Sequence, residues 1–128
     1  MISKGKAKNK LKIQILAGGI SHERDISLKS GRRVADALLE VGAEVVIREP
    51  DDKLLSNIKK DKPDVIWPCL HGASGEDGAL RDILSLTGVP FVGATASAAR
   101  LAWDKSIAKI IVEQNGIQTP ASITLPKD

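Results

Sequence analysis

The sequence predicts an α/β fold, an open and doubly wound, mainly parallel sheet with helices on both faces. Short apolar segments with the pattern of strands alternate along the 128 residues with segments whose apolar residues recur at helical spacing. Glycines stand where the first strand and several helices are predicted to end. Parallel strands need a crossover of about a dozen or more residues between them, so this alternation favours parallel pairing.

The first strand, 11–17, alternates apolar residues and runs into Gly18-Gly19. After a polar loop, Val34, Ala37, Leu38 and Val41 recur at helical spacing, and Gly42 is placed to end that helix. The remaining predicted elements follow in order: a strand at 44–48, a helix at 52–60, a strand at 64–70, a helix at 79–86, a short strand at 89–92, helices at 96–102 and 104–115, and a last strand at 122–125.

Positive charge is concentrated at the N-terminus. Five of the 19 Lys and Arg residues lie in the first twelve positions, which hold no acid, so the remainder carries 14 basic against 16 acidic residues. We therefore expect a disordered basic leader at 1–10 and one folded domain at 11–128. Nucleic acid is not an expected partner, because its phosphates require basic residues clustered on a folded face.

Cys69 is the single cysteine and excludes an internal disulfide. Its neighbours predict a strand, in which it is a small buried hydrophobic residue. No apolar run approaches the roughly 20 residues that cross a bilayer, and no signal peptide follows the lysines. We therefore expect a cytoplasmic protein with no membrane partner.

The loop after the first strand, GGISHERDIS, joins two glycines to a dense polar cluster. In open α/β sheets, ligands bind beyond the carboxyl ends of the strands, where this loop lies. The helix predicted just beyond it offers free N–H groups to an anion, whereas Glu23 suits an ammonium group. Alternatively, Ser21 or Ser27 caps the helix while Glu23 and Asp25 complement its dipole. For His22 we expect an exposed side chain without a role.

The loop after the third strand, HGASGEDG, holds three glycines and three titratable residues in eight positions. At the end of a strand, His71 can donate a hydrogen bond to a substrate carboxylate. Glu76 and Asp77 stand at the start of the next helix, where negative charge is favoured, so helix capping is the alternative interpretation. Further along, Lys105 could reach a phosphate while Asp104 caps a helix, although an ordinary surface lysine is the simpler interpretation.

Taken together, GGISHERDIS, HGASGEDG and the later WDK resemble the D-alanine–D-alanine ligases of the ATP-grasp superfamily. HGASGEDG fits the family signature HGxxGEDG in full, and WDK is similar to the usual MDK. The resemblance runs from about Lys12 to the end of the chain. It implies a Rossmann-like, pre-ATP-grasp domain, followed in the whole enzyme by central and C-terminal domains that are absent here.

The resemblance also implies an activity. ATP phosphorylates the carboxylate of one D-alanine, and the amine of a second attacks the acyl phosphate, for peptidoglycan synthesis. Glu23 and His71 correspond to the catalytic positions, Lys105 to the lysine that reaches the ATP phosphates, and the implied substrate-binding residues are Glu23, Ser27, His71 and Gly72. ATP and magnesium would be held mainly by the absent domains, with no metal ligand in this chain, so we expect the chain alone to be inactive. The resemblance also allows a homodimer of the intact enzyme.

The sequence departs from the family pattern at Asp25, at Trp103 and at Arg81-Asp82. The last pair is charged and bulky beside the signature, so it is expected to affect the positioning of His71. Two alternatives stay open. A ligase that joins D-alanine to D-lactate or D-serine would carry nearly the same domain. A stand-alone α/β binding module such as a receiver domain is the other, although Gly18-Gly19 and His71 stand where a receiver would have acidic residues.

Overall fold

A computed structural model of the protein describes residues 10–125. Three parallel strands form a sheet in the order β2-β1-β3. The elements, in chain order, are β1 (Lys12–Leu16), α1 (Arg24–Glu40), β2 (Glu44–Arg48), α2 (Leu54–Asp61), β3 (Val65–Pro68), α3 (Ala73–Glu76), α4 (Ala79–Ser85), α5 (Ala96–Trp103) and α6 (Lys105–Gln114). The alternation of strands and helices predicted from the sequence is confirmed.

The central strand β1 is buried on both sides, and its side chains divide between two cores. Ile13 and Ile15, together with Ala17 directly after the strand, pack with α1 on one face of the sheet. Leu16 packs with residues of α2 and α4 on the other face. This division, which follows from the alternation of side chains along a strand, places helices on both faces as predicted. Gln14 is also fully buried, and the structure gives no partner for its amide within the described residues.

Helix α1 lies unusually close to the sheet at Gly31. A Cβ atom at this position would lie 2.6 Å from the Cβ atom of Ala17, the residue directly after β1. Real Cβ atoms do not approach so closely, so only glycine permits this contact. The close approach anchors the middle of α1 over the strand that leads into the first glycine loop.

Two predicted strands are not formed as expected. The strand at 89–92 is reduced to an isolated parallel bridge between Phe91 and Ile66. Pro90 lacks an amide donor and Gly93 follows at a φ of 110°, which limits the pairing to this point. The strand predicted at 122–125 is wrong, because these residues are exposed and have no strand partner within the described part of the chain.

Helix boundaries also differ from the prediction around both glycine loops. Helix α1 begins at Arg24, inside the segment expected to be a loop, and the second loop contains the short helix α3. Cys69 is buried as expected but lies one residue beyond β3. The predicted leader falls almost wholly on residues 1–9, which lie outside the described residues. Within residues 10–125, no helix is long and apolar enough to cross a membrane.

Candidate functional site

The carboxyl ends of the three strands meet at one edge of the sheet. Leu16 of β1 pairs with Arg48 of β2 on one side and with Pro68 of β3 on the other. The segments that follow these residues therefore emerge side by side, although they are far apart in the sequence. We call 18–23 loop one and 69–72 loop two. This edge is where open parallel sheets place their ligands.

Ser27 connects the two loops from below. Its hydroxyl accepts a hydrogen bond from the amide of Gly18 at 2.8 Å and donates one to the carbonyl of Cys69 at 2.6 Å. The side chain is 1% exposed. This position does not fit the expectation that Ser27 contacts a substrate, because the hydroxyl is buried and already engaged on both sides. It does not cap the helix either, since the residue before α1 is Glu23.

Glu49, the first residue after β2, holds loop one from the side. Its Oε2 atom accepts a hydrogen bond from the amide of Gly19 at 3.2 Å, and its Oε1 atom forms an ion pair with Arg24. The sequence analysis did not identify Glu49. The available signal was its place directly after a predicted strand, since the carboxyl ends of parallel strands lie at the same edge of a sheet.

The two loops meet at Gly72, which has a φ of 79° and precedes α3. A Cβ atom there would lie 2.6 Å from Oγ of Ser21 and 3.3 Å from Oε2 of Glu23. The Glu23 carboxylate therefore stands beside the backbone of loop two and is itself exposed to solvent. Gly72 directly follows His71, so the Glu23 carboxylate lies beside the backbone next to the other residue predicted to be catalytic.

His71 is partly exposed and has a polar neighbour on each ring nitrogen. Its Nε2 atom lies 3.4 Å from Oγ of Ser30 on α1, and its Nδ1 atom lies 3.9 Å from Oε1 of Glu76. Ser30 was not identified from the sequence; only its helical position facing the sheet pointed to it. These neighbours restrict the orientation of the ring while leaving part of it exposed to solvent.

Glu76 and Asp77 hold backbone groups of their own loop. Glu76 accepts a hydrogen bond from the amide of Gly72 at 3.2 Å, and Asp77 accepts one from the amide of Ala79 at 2.9 Å, at the start of α4. The bond of Asp77 agrees with the capping interpretation, whereas Glu76 is the last residue of α3 and bonds the residue before that helix. Gly72 was expected to bind substrate, and in this arrangement its amide donates to Glu76.

Lys105 is the first residue of α6 and is exposed. Asp104 caps this helix as predicted, because its Oδ1 atom accepts hydrogen bonds from the amides of Ser106 at 3.0 Å and Ile107 at 3.2 Å. The Ser106 hydroxyl, followed by these amides, holds the pKa of the Asp104 carboxyl below its usual range. The structure does not bring Lys105 into contact with loop one or loop two within the described residues.

The charged pair after loop two has structural partners. Arg81 donates to the carbonyl of Ala94 at 3.1 Å, and Asp82 forms an ion pair with Arg100 at 2.7 Å. Both side chains thus point toward α5 and the segment before it, where they do not disturb His71. A cleft of about 300 Å³ opens between Glu76, Arg81 and Trp103. Trp103 therefore lies across this cleft from α3, and His22 is exposed as expected.

The arrangement brings a carboxylate and an imidazole to the same edge of the sheet, on two loops that meet at Gly72. Such a pair complements a molecule that carries an ammonium group and a carboxylate a few bonds apart, as an amino acid does. Residues 10–125 contain no group of three or more His, Cys, Asp or Glu side chains that could hold a metal ion.

Comparison with known proteins gives the family. The family model for the D-ala D-ala ligase N-terminus matches residues 48–94, which include β3, loop two and α4. The D-alanine–D-alanine ligase of Pelagibacter ubique is 47% identical over 112 residues, 88% of this chain and 37% of that protein. That of Moorella thermoacetica is 40% identical over 110 residues, 86% of this chain and 36% of that protein. The chain belongs to the D-alanine–D-alanine ligase family, as its N-terminal domain.

Solved ligase structures share the fold of this domain. The Bacillus anthracis ligase complexed with ATP matches with a TM-score of 0.74 at 30% identity, over 87% of this chain and 38% of that one. The ligase from Aeromonas hydrophila matches with a TM-score of 0.74 at 25% identity, over 90% of this chain and 50% of that one. The chain thus spans little more than a third of the length of the curated ligases that it matches.

Proposed function

We propose that this chain forms the amino-acid-binding N-terminal domain of an ATP-dependent ligase that joins two D-alanines. The observation that supports this most directly is the contact of loops one and two at Gly72, which brings the Glu23 carboxylate beside the residue that follows His71. The sequence similarity to D-alanine–D-alanine ligases supports the same activity.

In the proposed reaction, a carboxylate oxygen of the first D-alanine attacks the γ-phosphorus of ATP, and ADP leaves. The nitrogen of the second D-alanine, having lost a proton, then attacks the acyl carbon, a C–N bond forms, and phosphate leaves. Glu23 binds the ammonium group of the first D-alanine and keeps it from acting as a nucleophile. His71 donates a hydrogen bond to the carboxylate of the same molecule, whose charge is redistributed as its oxygen attacks the γ-phosphorus.

Within this proposal, the remaining predicted site residues have different roles. Ser27 keeps the two loops in register from beneath the crevice, as its buried hydrogen bonds to Gly18 and Cys69 support. Gly72 contributes its lack of a side chain, which gives Glu23 and Ser21 room beside loop two. A substrate contact through the Gly72 amide would require Glu76 to release it.

Binding of ATP and magnesium depends on more than this chain. Lys105 is free to reach phosphate oxygens as a point charge, but one exposed lysine does not hold a nucleotide. The described residues do not fit a magnesium site, because they lack a cluster of oxygen ligands. We therefore propose that further parts of the ligase supply both sites and that the 128-residue chain alone does not turn over ATP.

The similarity to ligases named for D-alanine supports D-alanine rather than D-lactate or D-serine as the second substrate, and an enzyme rather than a stand-alone binding module. The same similarity supports a role in peptidoglycan synthesis. We further propose that the enzyme acts in the cytoplasm, and the resemblance allows a homodimer of the intact enzyme.

The test is dipeptide synthesis by the full-length protein that carries this chain. With ATP, magnesium and D-alanine, we expect D-alanyl-D-alanine by mass spectrometry and one phosphate released per dipeptide. An equal concentration of D-lactate or D-serine, added as a competitor, should yield little mixed product. A predominantly mixed product would support the alternative ligase, and no product from any of the three would contradict the proposal.

A further inference from the structure

Glu49 reaches loop one from the neighbouring strand. Leu16 and Arg48 pair in register, so the residue after Arg48 stands beside the start of loop one. The Oε2 atom of Glu49 accepts a hydrogen bond from the Gly19 amide at 3.2 Å, and a Cβ atom on Gly18 would lie only 2.6 Å from it. The carboxylate is therefore pressed against the backbone of the loop.

The groups that Glu49 holds lie on both sides of Glu23. Gly19 precedes Glu23 in loop one, and Arg24, which pairs with Glu49, directly follows it. Between them the chain is tightly turned, because the amide of Arg24 donates to the carbonyl of Ser21 at 3.0 Å and the amide of Glu23 donates to Oγ of Ser21 at 3.1 Å. The direction of the Glu23 side chain is thus set by a segment fixed at each end.

Global stability does not account for this ion pair. The side chains of Arg24 and Glu49 are 46% and 40% exposed, and pairs so exposed contribute little to the free energy of unfolding. Moreover, Arg24 is the first residue of α1, where a positive charge is unfavourable to the helix dipole. Arg24 is thus a cation at a position unfavourable to the helix, directly beside Glu23. A role in positioning Glu23 explains the pair better than a contribution to stability does.

We propose that Glu49 is a positioning residue for the first D-alanine. By holding Gly19 and Arg24, it keeps the carboxylate of Glu23 beside Gly72, where that carboxylate meets the ammonium group of the substrate. This inference rests on the proposed function. It assigns no direct substrate contact to Glu49, so the effect of Glu49 on substrate binding is transmitted entirely through Glu23.

A double-mutant cycle in the full-length ligase tests this transmission. Glu49→Gln keeps the size of the side chain and an oxygen for Gly19 but removes the charge that pairs with Arg24. We expect it to raise KM for the first D-alanine about 5-fold while kcat changes less than about twofold, since uniform binding is lost. In a Glu23→Gln background, it should raise KM no further.

Asp61→Asn is the matched control. Asp61 pairs with Arg48, the residue before Glu49, at 2.8 Å but contacts neither loop. The substitution Asp61→Asn should lower the melting temperature and leave KM for the first D-alanine unchanged. Should Glu49→Gln fail to fold, Arg24→Gln removes the same pair from the other side and takes its place in the cycle.

The outcomes separate the inference from the function on which it rests. An equal rise in KM with and without Glu23, or a lowered melting temperature with KM unchanged, would overturn the role of Glu49 while leaving the ligase assignment intact. A full-length wild type that makes no dipeptide would overturn the proposed function, and this inference with it.

Discussion

The hydroxyl of Ser27 donates a hydrogen bond to the carbonyl oxygen of Cys69 at 2.6 Å, across 42 residues of sequence. The Ser27 Oγ atom also accepts a hydrogen bond from the amide of Gly18 at 2.8 Å. One buried side chain thus joins loop one, which carries Glu23, to loop two, which carries His71. The relative position of the two loops depends on this connection.

Removing this hydroxyl should destabilise the domain. Ser27→Ala leaves a buried amide and a buried carbonyl without their partner, and we expect it to cost about 1–3 kcal/mol of unfolding free energy. Urea denaturation of the 128-residue chain, followed by circular dichroism, measures this cost. Ser85→Ala is the control, because the Ser85 hydroxyl is exposed and bonds only within its helix. Equal midpoints for the two variants would contradict the role given to Ser27.

Acid should weaken the domain partly through Asp61. The hydrogen bond from Arg48, reinforced by its charge, lowers the pKa of the Asp61 carboxyl. A lowered folded-state pKa stabilises the fold above the unfolded value of about 3.9, and this stabilisation is lost as the pH falls through the folded value. The wild type should therefore lose more stability between pH 7 and pH 3 than Asp61→Asn does.

Urea denaturation of both proteins at the two pH values measures the difference. Asp82 and Asp104, whose pKa values are lowered by Arg100 and by Ser106 respectively, contribute equally to both proteins. Equal losses for wild type and variant would show that the Arg48–Asp61 pair does not contribute to the acid sensitivity.

The two histidines provide a matched pair for the site. His71 lies in loop two, with Ser30 and Glu76 beside its ring nitrogens. His22 is exposed and has no hydrogen bond to the described part of the chain. In the full-length ligase, His71→Ala should lower kcat/KM for D-alanine by about tenfold or more, as expected for one lost hydrogen bond to a charged group. His22→Ala should stay within about twofold of the wild type. Equal effects of the two substitutions would remove His71 from the site.

The order of strands and helices was predictable because it depends on local periodicity. The pattern of β1 and of the helix ending at Gly42 is contained in consecutive residues. The strand predicted at 89–92 did not form in full for a local reason, since Pro90 lacks the amide that complete pairing with a neighbouring strand requires. Helix α3, with four residues and an internal glycine, carries no periodic signal at all.

The candidate site was predictable only in part. The motifs and the place of both loops at the carboxyl ends of strands indicated Glu23 and His71. The roles of Ser27 and Glu49 could not be predicted, because each depends on partners brought together by the sheet: Cys69 for Ser27, and Gly19, 30 residues away, for Glu49. A serine or glutamate that bonds across strands looks the same in sequence as one that caps a helix.

The central claim is that Glu23 binds the ammonium group of the first D-alanine, and Glu23→Gln in the full-length ligase tests it most directly. The substitution keeps the shape of the side chain and removes its charge. Losing one charged hydrogen bond of about 1.5–3 kcal/mol should weaken use of the first D-alanine by roughly 10- to 100-fold. Initial rates over a range of D-alanine concentrations separate the two subsites, and a denaturant melt of the same variant measures stability.

We expect a raised KM for the first D-alanine and an unchanged KM for the second. The denaturation midpoint should match that of the wild type, because an exposed loop side chain contributes little to the core. A role confined to the start of α1 predicts the reverse, a loss of about 0.3–1 kcal/mol of stability with wild-type kinetics. Unchanged kinetics together with a lowered melt would contradict the claim.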